Sequence, residues 1–198
     1  KKKELLLGII SLISLGVISS CKGNSISNDK LVIGMECNYQ PFNWTTSKSS
    51  EYTLKIDKTN EYADGYDIAV SKYLSKDLNK EVVIKRIEWG SLIPSLNNNE
   101  INMILAGMTD TKERRESIDF TNPYLTSDLA FLIKKNNVSD SLGTKDNPMS
   151  YSELLTLFDG KTLVCQSNVV GDEFIDTYFV NNDENKSIRH SPAQATYP

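Results

Sequence analysis

The sequence predicts an α/β fold of two lobes, each a mainly parallel sheet flanked by helices, and two observations carry that reading. From Lys30 onward, short β-branched runs alternate with segments of helical periodicity. The alternation then restarts after Asp119-Phe120-Thr121-Asn122-Pro123-Tyr124, as a second lobe requires. Open sheets of this kind bind ligands outside the carboxyl ends of their strands, so the useful residues are expected in strand-to-helix turns.

Taken in order, Lys30 to Met35 reads as a buried strand through Leu31, Val32 and Ile33. Thr45 to Glu61, rich in Lys, Ser and Thr and without periodicity, reads as a surface loop. Tyr66 to Leu78 is an amphipathic helix with Ile68, Ala69, Tyr73, Leu74 and Leu78 as its apolar positions. Glu81 to Glu88 is a strand enriched in Val82, Val83, Ile84 and Ile87. Ser91 to Asn97 is helical, Ile101 to Ala106 a short strand, and Lys112 to Ile118 a helix. In the second set, Leu129 to Lys134 reads as a strand, Asn136 to Ser150 as loop and Tyr151 to Phe158 as helix. Lys161 to Gln166 and Val169 to Val180 form a further strand and helix, and His190 falls in a second-lobe strand. No internal repeat is visible.

Composition narrows the class. A chain of 198 residues, 39% hydrophobic and 24% charged with a net charge of -4, can bury a real core. Its lysines and arginines are scattered and form no basic stripe, so nucleic acid is excluded as an expected partner.

The amino terminus is more specific. Lys1, Lys2 and Lys3 precede an apolar run from Leu5 to Ile18, the pattern of a secretory signal peptide. A run of about 14 residues is short for a membrane span, which needs roughly 20. It ends in Ile18-Ser19-Ser20-Cys21, which resembles a bacterial lipobox; Cys21 is then the expected site of lipid attachment and the first mature residue. Residues 1–21 are therefore assigned to the signal, 22–29 to a polar tether, 30–126 to lobe 1 and 127–198 to lobe 2. Cys37 and Cys165 have no metal-ligand spacing with His190, the single histidine, and read as packing residues. A disulfide between them takes second place, because it would lock the two lobes together.

Four stretches carry a resemblance: Ile33-Gly34-Met35-Glu36-Cys37-Asn38-Tyr39-Gln40-Pro41-Phe42, Asp64-Gly65-Tyr66-Asp67-Ile68, Trp89-Gly90-Ser91-Leu92-Ile93-Pro94-Ser95-Leu96 and Gly107-Met108-Thr109-Asp110-Thr111-Lys112-Glu113-Arg114. In order and spacing they resemble the polar amino-acid-binding proteins of bacterial ABC transporters, family 3 of the extracellular solute-binding proteins, with the type 2 periplasmic binding fold. The match runs from about Leu31 to Tyr124 and continues more weakly from Gly160 to Phe174. The resemblance implies an extracytoplasmic, monomeric, non-enzymatic protein that captures an amino acid between its lobes and delivers it to an ABC permease. Lobe 2 would rotate about the crossing segment near Thr126 to Ala130.

The chemistry of an α-amino acid agrees with this. A zwitterion needs a guanidinium or N–H donors for its carboxylate and oxygen acceptors for its ammonium group. The resemblance makes Arg114 the carboxylate clamp, with the backbone N–H of Thr109 and the start of the following helix as further donors, and the Gly107 carbonyl as acceptor. Met108 lies within the same motif, and Arg115 reads as surface. Tyr39 and Trp89 match positions that flank the ligand's side chain with flat rings. Glu36 matches a position that is acidic in relatives binding arginine, lysine, ornithine or histidine, which implies a basic ligand. Asp67 matches a position acidic across the family, and Glu88 reads as solvated; neither decides specificity.

The chain departs from the family in two places. Asn168-Val169-Val170 stands where relatives often carry Gly-Thr-Thr, so hydroxyl donors are missing and the backbone N–H groups of Asn168 to Gly171 must serve. The family pattern also continues beyond Pro198 with a helix, an acidic ammonium partner and a strand returning to lobe 1, so a truncated chain is expected. A neutral polar ligand such as glutamine is the alternative within the class. From other classes come a surface receptor and a dehydratase-like enzyme on the same fold. No Ser-His-Asp arrangement, metal cluster or nucleotide loop completes a catalytic set, and no cofactor or metal is expected.

Overall fold

The computed structural model describes residues 26–134, 143–144, 146–181 and 187–193. The expected signal segment, Cys21 as the expected site of lipid attachment and most of the expected tether lie outside these residues, as do much of the Asn136 to Ser150 loop and the end of the chain. Among the described residues no helix is long and apolar enough to cross a membrane.

Lobe 1 is built on β1 (Lys30–Met35), whose residues from Leu31 to Met35 are all buried. A strand covered on both faces belongs in the middle of a parallel sheet, and this one does. It pairs in parallel with β6 (Glu81–Arg86) on one side, from Lys30↔Glu81 to Met35↔Arg86, and with β7 (Met103–Ile104) on the other. The order β6-β1-β7 makes the carboxyl end of β1 a topological switch point. The anticipated strand over Ile101 to Ala106 shrinks to two residues, because the Asn102 side chain accepts the Val32 N–H (2.8 Å) in place of a backbone carbonyl.

A second, antiparallel sheet of lobe 1 has the order β2-β3-β5-β4, from β2 (Asn38–Tyr39), β3 (Asn43–Thr46), β4 (Leu54–Lys55) and β5 (Tyr62–Asp64). The expected Thr45 to Glu61 surface loop is thus partly structural. It carries β4, and Ile56 is fully buried and bridges Ile84 of β6.

Helix α1 (Tyr66–Leu78) starts at Gly65, whose φ of 124° and a gap of 2.3 Å from its added Cβ to the Phe42 carbonyl oxygen exclude any side chain. It ends on Asn79 in the left-handed conformation. The helix is where expected but is rotated relative to the anticipated face. Ile68 and Leu74 reach the core, while Ala69 and Leu78 are exposed and Tyr73 is 72% exposed. The buried stripe instead includes Asp67 and Ser71, polar residues tolerated because Ser71 donates to the Asp67 carbonyl (2.7 Å) and the Asp67 carboxylate is hydrogen-bonded. A 3-10 turn (Trp89–Ser91) leads into α2 (Leu92–Asn97), and Thr111 caps the single turn of α3 (Lys112–Arg115). The last ends three residues before the Ile118 boundary anticipated from sequence, which leaves little helix dipole beside Arg114.

Lobe 2 contains α4 (Tyr151–Phe158), closed at its start by a capping box between Ser150 and Glu153. It continues with β8 (Thr162–Gln166), α5 (Val170–Ile175) extended by a π-helical turn (Asp176–Val180), and β9 (Arg189–Ala193). Strands β8 and β9 are parallel, with Leu163 opposite His190, so the unit is a βαβ crossover. Its core is Phe158, Leu163, Ile175, Phe179 and Ile188. The strand expected at Leu129 to Lys134 is not formed. Phe131 and Ile133 do pack on this core, with the Phe131 ring 4.8 Å from that of Phe158, while Leu132 is 100% exposed. The alternation is therefore real, yet these residues form no ladder with any described strand.

Candidate functional site

The candidate residues gather where the carboxyl ends of β1, β6 and β7 face the start of α5. Arg114 is central. Its Nη1 donates to the Thr109 carbonyl (2.7 Å) and its Nη2 crosses to the Asn168 carbonyl (3.0 Å). The guanidinium lies over the Trp89 ring at 5.5 Å from the centroid, and Trp89 Nε1 donates to the same Asn168 carbonyl (2.9 Å). Burial lowers the Arg114 pKa somewhat, and Glu113 and Glu173 oppose that. The turn at Asn168, with φ of 62°, turns its carbonyl toward lobe 1.

Glu36 follows β1 and is half-buried; Gln166 Nε2 donates to its two carboxylate oxygens at 3.2 and 3.3 Å, a second crossing between the lobes. Desolvation raises the Glu36 pKa, the Gln166 and Trp89 hydrogen bonds oppose the rise, and Glu88 adds to it. Among the described residues no cationic side chain is within ion-pair reach of Glu36. Tyr39 stacks on Phe42 at 4.9 Å and sits against Gly107. At Gly107, φ is 63° and an added Cβ would stand 3.3 Å from Tyr39 Cε1, so glycine lets the ring approach the backbone.

A cavity of about 470 Å³ is walled by Trp89, Met108, Arg114, Asn168, Val169 and Val170, joining the two lobes. Glu36, Tyr39, Asp67 and Gly107 are not among its walls. A larger space of about 870 Å³ surrounds Lys30, Val32 and Glu81 at the amino ends of β1 and β6 and touches none of the candidate residues.

Asp67 requires a correction. It is 0% exposed, with Oδ2 accepting from Asn43 Nδ2 (2.8 Å) and Oδ1 from the Tyr124 hydroxyl (3.1 Å), so it supports the site from below without facing a ligand. Burial raises its pKa, against the pull of those two donors. The Thr109 carbonyl accepts from Arg114, a contact in addition to the backbone N–H donor expected at that residue. Two residues escaped the sequence reading. Tyr124 accepts the Gly107 N–H (3.1 Å) while donating to Asp67, which ties the Gly107 loop to α1; its place directly after Asn122-Pro123 was the available signal. Gln166, last in β8, was visible only as the end of a strand. Cys37 and Cys165 are both free thiols, and burial pushes the Cys37 thiol up to about 12.

Comparison with known proteins agrees with this architecture. The family of bacterial extracellular solute-binding proteins, family 3, matches residues 31–186. An arginine-binding extracellular protein of Bacillus subtilis is 30% identical over 144 residues, 71% of this chain and 51% of the relative. A probable histidine-binding protein of Campylobacter jejuni is 34% identical over 129 residues, 63% of this chain and 44% of the relative. The chain thus spans about half the length of these curated relatives. Among solved structures, an ancestral arginine-binding protein bound to arginine superposes with a TM-score of 0.62 at 24% identity, over 83% of this chain and 61% of that one. A putative binding component of an ABC transporter from Wolinella succinogenes, complexed with lysine, gives 0.63 at 22% identity, over 85% and 61%. These two likenesses establish the type 2 periplasmic binding fold. The chain belongs to family 3 of the bacterial extracellular solute-binding proteins.

Proposed function

We propose that the protein captures an amino acid with a cationic side chain between lobe 1 (residues 30–126) and lobe 2 (residues 127–198) and presents it to an ABC permease, held at the membrane through a lipid on Cys21. The observation that carries the ligand class is Glu36, a half-buried carboxylate whose described hydrogen-bond donors, the Gln166 amide and the Trp89 backbone N–H, are both neutral. A desolvated carboxylate gains most from a cation that replaces a neutral donor. Arg114 is the α-carboxylate clamp. Two of its N–H groups are held by the Thr109 and Asn168 carbonyls, which fixes the guanidinium plane and leaves other N–H groups of the fork for the ligand. Trp89 and Tyr39 supply flat faces for the aliphatic stem, and Met108, Val169 and Val170 line its surroundings. The names of relatives that bind arginine and histidine support the same class.

Closure is favoured by contacts that cross between the lobes. Asn168 receives Trp89 and Arg114, and Gln166 reaches Glu36, so a ligand bridging Arg114 and Glu36 adds to a set already spanning both lobes. A neutral polar ligand such as glutamine is the second reading, favoured by one fact: the Gln166 amide already satisfies Glu36 as a carboxamide would. Calorimetric titration with L-arginine and L-glutamine separates the two. Binding of arginine that is lost in Glu36→Gln supports the cationic reading; glutamine binding that survives in that variant overturns it.

A further inference from the structure

Lobe 2 holds a second cluster of side chains, of which Asp172 and Asp176 also line the 470 Å³ cavity beside Arg114. Strand alternation puts Leu163, Cys165 and His190 on one face of the β8–β9 pair, and α5 with its π-helical extension lays Asp172 and Asp176 over it. Cys165 Sγ is 3.4 Å from His190 Nε2, and Asp172 Oδ1 is 3.3 Å from the same nitrogen. One ligand atom each from Cys165, Asp172 and His190 falls within 4.8 Å of the other two.

We propose that Cys165, Asp172 and His190 form a binding site for a zinc-type divalent cation, with a fourth position open to water. Three features support it. First, two of the three spacings fit: zinc bonds of about 2.3 Å to sulfur and about 2.0–2.2 Å to nitrogen and oxygen at tetrahedral angles put sulfur and nitrogen about 3.6 Å apart, and nitrogen and oxygen about 3.4 Å apart. Second, the ligands are oriented from behind. His190 Nδ1 is 2.7 Å from Asp176 Oδ1, the carboxylate–histidine arrangement that aims Nε2 at a metal, and Asp172 Oδ2 accepts the Asn168 N–H (2.7 Å), leaving Oδ1 to coordinate. Third, the site is enclosed: the His190 side chain is only 5% exposed and that of Asp172 19%. Hydrogen bonding alone would also place His190 between Asp172 and Asp176, with the Cys165 thiol donating to the Gln166 carbonyl (3.3 Å), and the experiment separates the two cases.

The test is titration of the protein with Co2+, read by absorption. A thiolate-to-cobalt charge-transfer band with intense visible bands of a four-coordinate ion is expected, saturating at one equivalent and displaced by Zn2+. It should vanish in Cys165→Ser and His190→Gln with far-ultraviolet circular dichroism unchanged, and Asp176→Asn should keep the band while weakening affinity by about 10- to 100-fold. Absence of the band in folded protein overturns the site in favour of a histidine held by hydrogen bonds between two carboxylates. A band that persists in Cys165→Ser overturns it too, by assigning the metal to another thiol.

Discussion

Replacing Arg114 with alanine removes the group on which the proposed clamp depends. In the structure its guanidinium is held by one carbonyl from each lobe, at 2.7 and 3.0 Å, and lies 5.5 Å from the centroid of Trp89. A carboxylate bound by two charge-assisted hydrogen bonds gains about 1.5–3 kcal/mol from each, so losing the pair costs about 3–6 kcal/mol of binding. At about 1.4 kcal/mol per tenfold, the dissociation constant rises by about 10² to 10⁴. Arg114→Lys keeps the charge but not the planar fork, and recovers at most about half of that free energy. Isothermal titration with the best amino-acid ligand measures both variants, with circular dichroism to show that each is folded. A folded alanine variant that binds within about threefold of wild type would refute the clamp, since a lost charge-assisted bond alone exceeds that.

Three further outcomes follow from the same geometry. Glu36→Gln abolishes selectivity for a basic ligand and changes stability with pH. Burial raises the Glu36 pKa above its usual 4.5, so the stability this shift confers is full below that value and is lost as pH rises through the folded pKa. The glutamine variant has no such loss, so urea denaturation should show it gaining on wild type from acid to neutral pH; a pH-independent difference contradicts the assignment. Asp67→Ala strands the buried Asn43 amide, at about 1–3 kcal/mol, and removes the acceptor of the Tyr124 hydroxyl, whereas Asp67→Asn keeps one acceptor oxygen for the Asn43 amide and offers its own N–H to the Tyr124 oxygen, and costs less. Urea midpoints that fall equally in the two variants would exclude this support role. Gly107→Ala forces a side chain into φ of 63° against Tyr39 and costs about 1–2 kcal/mol, visible as a lower melting temperature together with weaker ligand binding. A variant unchanged in both would show that the loop relaxes freely.

How far the sequence reached depended on what each residue reports. Burial is written in composition, so β1, β6, β8 and α1 were found within a residue or two. Backbone pairing is not. Leu129 to Lys134 has the alternation of a strand, yet it packs Phe131 and Ile133 without a ladder, and Asn102 caps the ladder of β7 with a side chain. The Thr45 to Glu61 insertion looked like surface because one buried residue, Ile56, is hard to see among lysines and threonines. At the site, Arg114, Trp89 and Asn168, all singled out from the sequence, meet. Roles were harder. Asp67 has the chemistry of a ligand contact, and only the positions of Asn43 and Tyr124 make it a support. The cluster of Cys165, Asp172 and His190 was invisible because its members come from two strands and a helix, at separations without a recognisable spacing.

The central claim is that the cleft binds a cationic amino acid through Arg114 and Glu36. Thermal unfolding against L-arginine, L-lysine, L-ornithine, L-histidine and L-glutamine tests it most directly, because a ligand at about 100 times its dissociation constant stabilises by about 2.7 kcal/mol. The account predicts that a basic amino acid gives the largest shift and that Arg114→Ala and Glu36→Gln each abolish it. A shift with glutamine alone, or with no amino acid at all, would contradict it.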